Sequence, residues 1–204
     1  MMKLYDANFP GTRGSRVRWM LEELAVPYEV TALDPSLGEH KRDEYRSVHP
    51  HGLVPAVEID GQTLIESAAI CMHLADRHPE RGLAPALGTP ERAAWYQWIV
   101  YAAATLDGPL VGWVLNALVI PEARRRMEPV MHGHEVWRVA APFLERNLTG
   151  RTWLLGDVFS AADVVLGYDV VIASRLGALG EYPAIGAYAA RLMTRPAFKA
   201  VYDA

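Results

Sequence analysis

A chain of 204 residues is long for one small domain and short for three, so one large or two small domains are expected. With 51% hydrophobic and 22% charged residues it builds a core and is not a disordered chain. The net charge of −4 comes without a dense basic run, since Arg124, Arg125 and Arg126 are flanked by Glu122 and Glu128, and this argues against a nucleic-acid partner.

In chain order, the N-terminus has no apolar stretch of signal-peptide length, and no run nears ~20 apolar residues, so neither leader nor membrane segment is expected. "MKLYD" is a short strand candidate, followed by "SRVRWMLEELAV" with Val17, Met20, Leu21 and Leu24 at helical spacing. "YEVTAL" reads as a second strand and "EHKRDEYRSV" as a polar helix. "AVEI" and "TLI" flank Asp60-Gly61, a pair favoured in tight hairpin turns. "ESAAICMHLADRH" then reads as a helix with Ala69, Ile70, His73 and Leu74 on one face. The single cysteine, Cys71, cannot form an internal disulfide, which suits a reducing compartment and a cytoplasmic protein.

Residues 80–90 are rich in Pro and Gly and without periodicity, as in a linker between a domain at 1–79 and another at 91–204. From Glu91 the apolar spacing is helical, broken at Pro121, Gly150 to Gly156, Gly177 to Pro183 and Pro196, which predicts about five helices. The sharpest local signal is "FSAADV". Ser160 can cap a helix while Asp163 reaches back to the cap amide, with Phe159 and Val164 at the staple positions; this pattern is structural. The aromatics Trp95, Tyr96, Trp98, Tyr101 and Trp113 divide between core and a surface for substrate or partner. His132 and His134 have no metal-site spacing, so no metal is expected.

The chemistry-bearing stretch runs from Gly52 to Ile70. Pro55 either starts an edge strand in the trans form or marks a cis turn. Glu66 and Ser67 head a helix, where they serve as a plain cap or, with free amides and the helix dipole, as an anion site. "PGTRGSRVRWMLEEL", "HPHGLVPAVEIDG", "LIESAAICMHLADRHP" and "FSAADVVLGYDV", in this order and separation, resemble the cytosolic glutathione transferases. The resemblance covers nearly the whole chain. It implies a thioredoxin-like βαβ-ββα domain, an all-helical second domain, a homodimer, and transfer of the glutathione thiol to a small hydrophobic electrophile bound between the domains. The alternatives are a non-catalytic binding or interaction protein, and a glutathione-dependent peroxidase or isomerase.

The same resemblance implies the roles of single residues. A cis Val54-Pro55 bond would present the Val54 main chain to the extended tripeptide. Glu66 and Ser67 would take its γ-glutamyl group. A free thiol has a pKa near ~8.5 and needs a donor to become a thiolate at neutral pH. The similar family pattern puts that donor at Thr12, with Arg13 nearby and Ser15 as the alternative. This is a bacterial-type, Ser/Thr-dependent reading: Tyr5 matches a strand residue, and Cys71 reads as a small buried hydrophobe. Many relatives have Lys or Gln where this chain has Leu53, so His40 and Lys41 are the candidates to hold the glycyl carboxylate, with His51 a weaker one.

Overall fold

The structure is a computed structural model that describes residues 2–203. They divide into two compact units: one extends to Leu83 and takes back the chain from Arg195, and the other is Ala84–Thr194.

The first unit is built on a four-stranded sheet in the order β2-β1-β3-β4, with β1 Met2–Ala7, β2 Tyr28–Leu33, β3 Ala56–Ile59 and β4 Gln62–Ile65. β1 runs parallel to β2 and antiparallel to β3, and β3 pairs antiparallel with β4. The turn at Asp60 and Gly61 has positive φ at both residues (51° and 75°), the conformation the sequence pair selects. Helix α1, Arg13–Leu24, packs beside α3, Ser67–Arg77. The predicted positions Val17, Met20, Leu21 and Leu24 are all fully buried. Each such side chain contributes about 1.5–3 kcal/mol through removal from water. Tyr5, Leu33, Tyr45 and Ala56 form a core cluster, with Val48, Val54 and Ile65 against it. The last helix, α9 (Pro196–Tyr202), lies along α1: Trp19 meets Phe198 edge-on, and Arg195 grips Glu23 through two bonds of 2.6 Å.

Two local expectations are corrected. The predicted helix over residues 39–48 is instead a turn Pro35–Leu37, a turn Glu39–Lys41 and the single-turn helix α2, Asp43–Arg46. Arg42 is extended (ψ 150°), and Tyr45 is the one buried side chain of α2, too little apolar burial to hold a longer helix. On α3 the buried face is Ser67, Ile70, Cys71, Leu74 and Ala75, while Ala69 and His73 face out.

The second unit is helical, as expected. α4 (Pro90–Tyr101) continues through a π-helical stretch, Ala102–Leu106, into α5 (Asp107–Val114) and a second such stretch, Leu115–Val119. Pro109 has no N–H to donate back, and the first of these wider stretches directly precedes its turn. The result is one 30-residue rod, Pro90–Val119, long and apolar enough by length and composition to cross a membrane. The helical spacing read from Glu91 to the break at Pro121 agrees with this length, whereas its overall apolarity was not expected, because Glu91, Arg92 and Asp107 punctuate it. Trp95 and Trp98 are core, whereas Tyr96, Val100, Leu115, Leu118 and Val119 are exposed. α5 lies against α6 (Met127–Leu148) and α7 (Ala161–Arg175), and α8 (Pro183–Thr194) against the same two. α7 is central, with every residue from Ala161 to Ala173 buried. Its capping box forms as predicted: Ser160 Oγ accepts from the Ala162 amide, and the Ser160 amide donates to Asp163 Oδ2 at 2.9 Å.

Candidate functional site

Every residue singled out for holding the anionic peptide or its thiol lies in the first unit, on the loops that follow β1, β2 and β4 and lead into β3. Thr12 is the N-cap of α1. Its Oγ1 accepts from the Gly14 amide (3.2 Å) and donates its only proton to Asp6 Oδ1 (2.8 Å). Asp6 sits at the end of β1, fully buried, and its Oδ1 also accepts from the Ala7 amide at 2.7 Å. Burial outweighs these bonds and the nearby Arg18, and raises the Asp6 pKa. Gly14 is required here: a Cβ would lie 1.7 Å from Asp6 Oδ1. Arg13 opens α1, while Ser15 is buried and its Oγ accepts from the Gly11 amide at 2.8 Å. Of the two candidate hydroxyls, Thr12 is the one partly open to solvent.

At the head of α3, Glu66 has φ 68° and ψ 101°, outside the regions that L-residues favour, and its side chain is exposed. Strain of this kind costs about 1–3 kcal/mol and concentrates at ligand sites. Ser67 follows, and the fully buried Arg16 of α1 donates from Nη1 to its Oγ at 2.9 Å. Arginine carries donors only, so the Ser67 oxygen must accept this bond and its own proton can point elsewhere.

The third part is the loop before β3. The Val54-Pro55 peptide is cis. Lys41 Nζ donates to the carbonyls of His51 (3.1 Å) and Gly52 (2.7 Å), and Tyr45 Oη donates to the Leu53 carbonyl at 2.6 Å. Gly52 has φ 57°, and a Cβ there would lie 2.4 Å from the His40 carbonyl, so the turn Glu39–Lys41 sits directly on this loop. His40 Nδ1 is buried with no described hydrogen-bond partner. Burial and the neighbouring His51 lower the pKa of His49, while Glu66 pulls it the other way.

The structure therefore brings Thr12 with Asp6, Ser67 with Arg16, and Lys41 and His40 with the loop carrying Val54. The Lys41 ammonium is committed to main-chain carbonyls, so its charge reaches a ligand only by leaving or sharing them. Asp6, Arg16 and Tyr45 were not assigned roles from the sequence. The signal for Arg16 was its place in the helix repeat beside Val17; Asp6 had none beyond an acid at a strand end. Cys71 is fully buried, and burial pushes its thiol up to about 12, so it presents no thiolate. Among the described residues no group of three or more His, Cys, Asp or Glu is placed to hold a metal.

Residues 1–76 match the family model described as glutathione S-transferase, N-terminal domain, and residues 112–196 match the corresponding C-terminal domain. The chain is 30% identical to glutathione S-transferase A of Pleuronectes platessa, over 91% of this chain and 84% of that protein. It is 32% identical to maleylacetoacetate isomerase of Pseudomonas aeruginosa, over 100% of this chain and 96% of that one. Among solved structures, a sphingomonad glutathione S-transferase complexed with glutathione superposes with a TM-score of 0.83 at 28% identity, covering 98% of this chain and 97% of that one.

Proposed function

We propose a function from one premise: the chain belongs to the glutathione S-transferase family. On it, the protein takes glutathione as co-substrate and joins its thiol sulfur to a small hydrophobic electrophile, in a reducing, cytoplasmic setting. The γ-glutamyl carboxylate sits at the α3 tip on Ser67, and Glu66 pairs with the γ-glutamyl ammonium. The Val54 main chain, held next to Pro55, pairs with the cysteinyl backbone. His40, Lys41 and Arg13 supply positive charge, and Thr12 meets the thiol.

The observation that carries this reading is the bond from buried Arg16 to Ser67. A guanidinium behind a helix N-terminus makes the tip attractive to an anion twice over, by charge and by dipole, and leaves the Ser67 proton to bond it. Positioning and thiolate stabilisation then supply the rate.

A second copy of this chain is the proposed cover for the exposed apolar side chains along Pro90–Val119, and the family expectation of a homodimer points the same way. Purified protein should sediment at about twice the 22.6 kDa chain mass. It should convert a chromogenic aryl halide only when glutathione is present. Glutathione binding without turnover of an aryl halide, a hydroperoxide or an isomerisable dienoic acid would instead identify a non-catalytic binding protein. Turnover of the dienoic acid alone would make it an isomerase.

A further inference from the structure

We propose that Asp6 is the proton acceptor for the bound thiol, acting through the Thr12 hydroxyl as a two-bond relay from sulfur to a buried carboxylate. The inference rests on the reading above that glutathione places its sulfur at Thr12.

The hydroxyl has one proton, and it is spent on Asp6 Oδ1; one oxygen lone pair is spent on the Gly14 amide. What Thr12 offers a ligand in this state is therefore its remaining lone pair. It can accept a hydrogen bond from a thiol, but it cannot donate one to a thiolate. The two needs are met in sequence if the proton moves. The S–H bond breaks, with its electron pair left on sulfur, and that proton bonds to Thr12 Oγ1. The original Thr12 O–H bond breaks as its proton passes to Asp6 Oδ1. Thr12 then donates to the thiolate while the new carboxylic acid donates back to Thr12 Oγ1. After the conjugate leaves, the proton returns along the same two bonds to solvent.

Asp6 is suited to this step in three respects. Its Oδ2 is buried with no described partner, so the ionised form is under-satisfied. Gly14 leaves the space that lets the carboxylate approach the hydroxyl. The groups that face it set its proton affinity: Arg18 of α1 favours the anion and burial disfavours it more, while the Asp6 charge in turn raises the pKa of Tyr45 of α2. The resemblance asks for a hydroxyl at 12, but nothing in the conjugation reading alone requires an acid at 6.

The test is Asp6→Asn in the full chain, with glutathione as the probe. Asparagine keeps an oxygen to accept from Ala7 and Thr12 but cannot take a proton. Glutathione affinity should stay within about twofold, while the acid limb of kcat/KM and the ultraviolet thiolate band of bound glutathione should both move to higher pH by about one unit or more. Thr12→Val should remove the difference between Asp6 and its Asn variant. Wild-type calorimetry in buffers of different ionisation enthalpy gives an answer that needs no variant: binding should release well under one proton per thiol ionised. An unshifted profile in Asp6→Asn, or release of a full proton, overturns the relay. Failure of the wild-type protein to bind glutathione at all would instead overturn the proposed function.

Discussion

Replacing Asp163 with alanine should destabilise the fold by roughly 3–5 kcal/mol in a chemical-denaturation experiment. Its carboxylate accepts from the Leu154 amide (2.9 Å), the Ser160 amide (2.9 Å), the Ser160 hydroxyl (3.1 Å) and Tyr188 Oη (3.1 Å), and it is fully buried. Alanine leaves the two amides and the tyrosine hydroxyl buried without an acceptor, each at about 1–3 kcal/mol before relaxation. It also removes the Asp163 half of the capping box on the helix on which the second unit is assembled, leaving only the Ser160 side-chain cap. The carboxyl carries a pH signature too. Burial raises its pKa to about 6 in the folded state from 3.8, because desolvation exceeds the help of its four partners. The folded state thus holds this proton more tightly than the unfolded one. The group's favourable contribution is complete below about pH 4 and is lost as pH rises through about 6. Stability of the wild type measured at pH 4.5 and 7 should contain this slope, and Asp163→Asn should lack it. A loss below about 1 kcal/mol in the alanine variant would show that the capping network is not what holds α7.

The largest effect on activity should come from Thr12→Val, which preserves shape and removes the hydroxyl. With no group to accept from the thiol or donate to the thiolate, kcat/KM should fall by about 10²–10³-fold. Glutathione affinity should persist, since the proposed carboxylate contacts lie at α3 and the loop carrying Val54. The lost cap at Gly14 should cost about 1 kcal/mol of stability, so the fold survives to be assayed. Thr12→Ser should restore most of the rate. Undiminished turnover in the valine variant would move the thiol-activating role elsewhere.

Much of this molecule could be read before any coordinates. The period-two and period-3.6 patterns placed all four strands and the main helices, because the side chains at those positions are the ones removed from water. Asp60-Gly61 announced its turn and Ser160-Asp163 its capping box, since both are fixed by chemistry within four residues. The segment after β2 was not readable. A polar run with Tyr45 as its one anchor has no helical preference strong enough to compete with Lys41 and Tyr45 binding the loop at His51, Gly52 and Leu53. Nor was the depth of Asp6 and Arg16. Acids and arginines are mostly exposed, and only the three-dimensional pairing of Asp6 with Thr12, and of Arg16 with Ser67, shows that both are interior. The Pro90–Val119 stretch read as helical up to the break at Pro121, but its widened turns did not: nothing in the pattern around the buried Asp107 and Pro109 announces that the helix absorbs them by widening.

The most direct measurement is a calorimetric titration of the wild-type protein and its Ser67→Ala variant with glutathione. Ser67 Oγ, backed by Arg16, is expected to hold the carboxylate, so the wild type should bind saturably with one molecule per chain. The variant should bind about 10–100-fold more weakly, the range for a hydrogen bond to a charged group. Equal affinity in the two proteins, or no saturable binding by the wild type, would contradict an anion site at the head of α3.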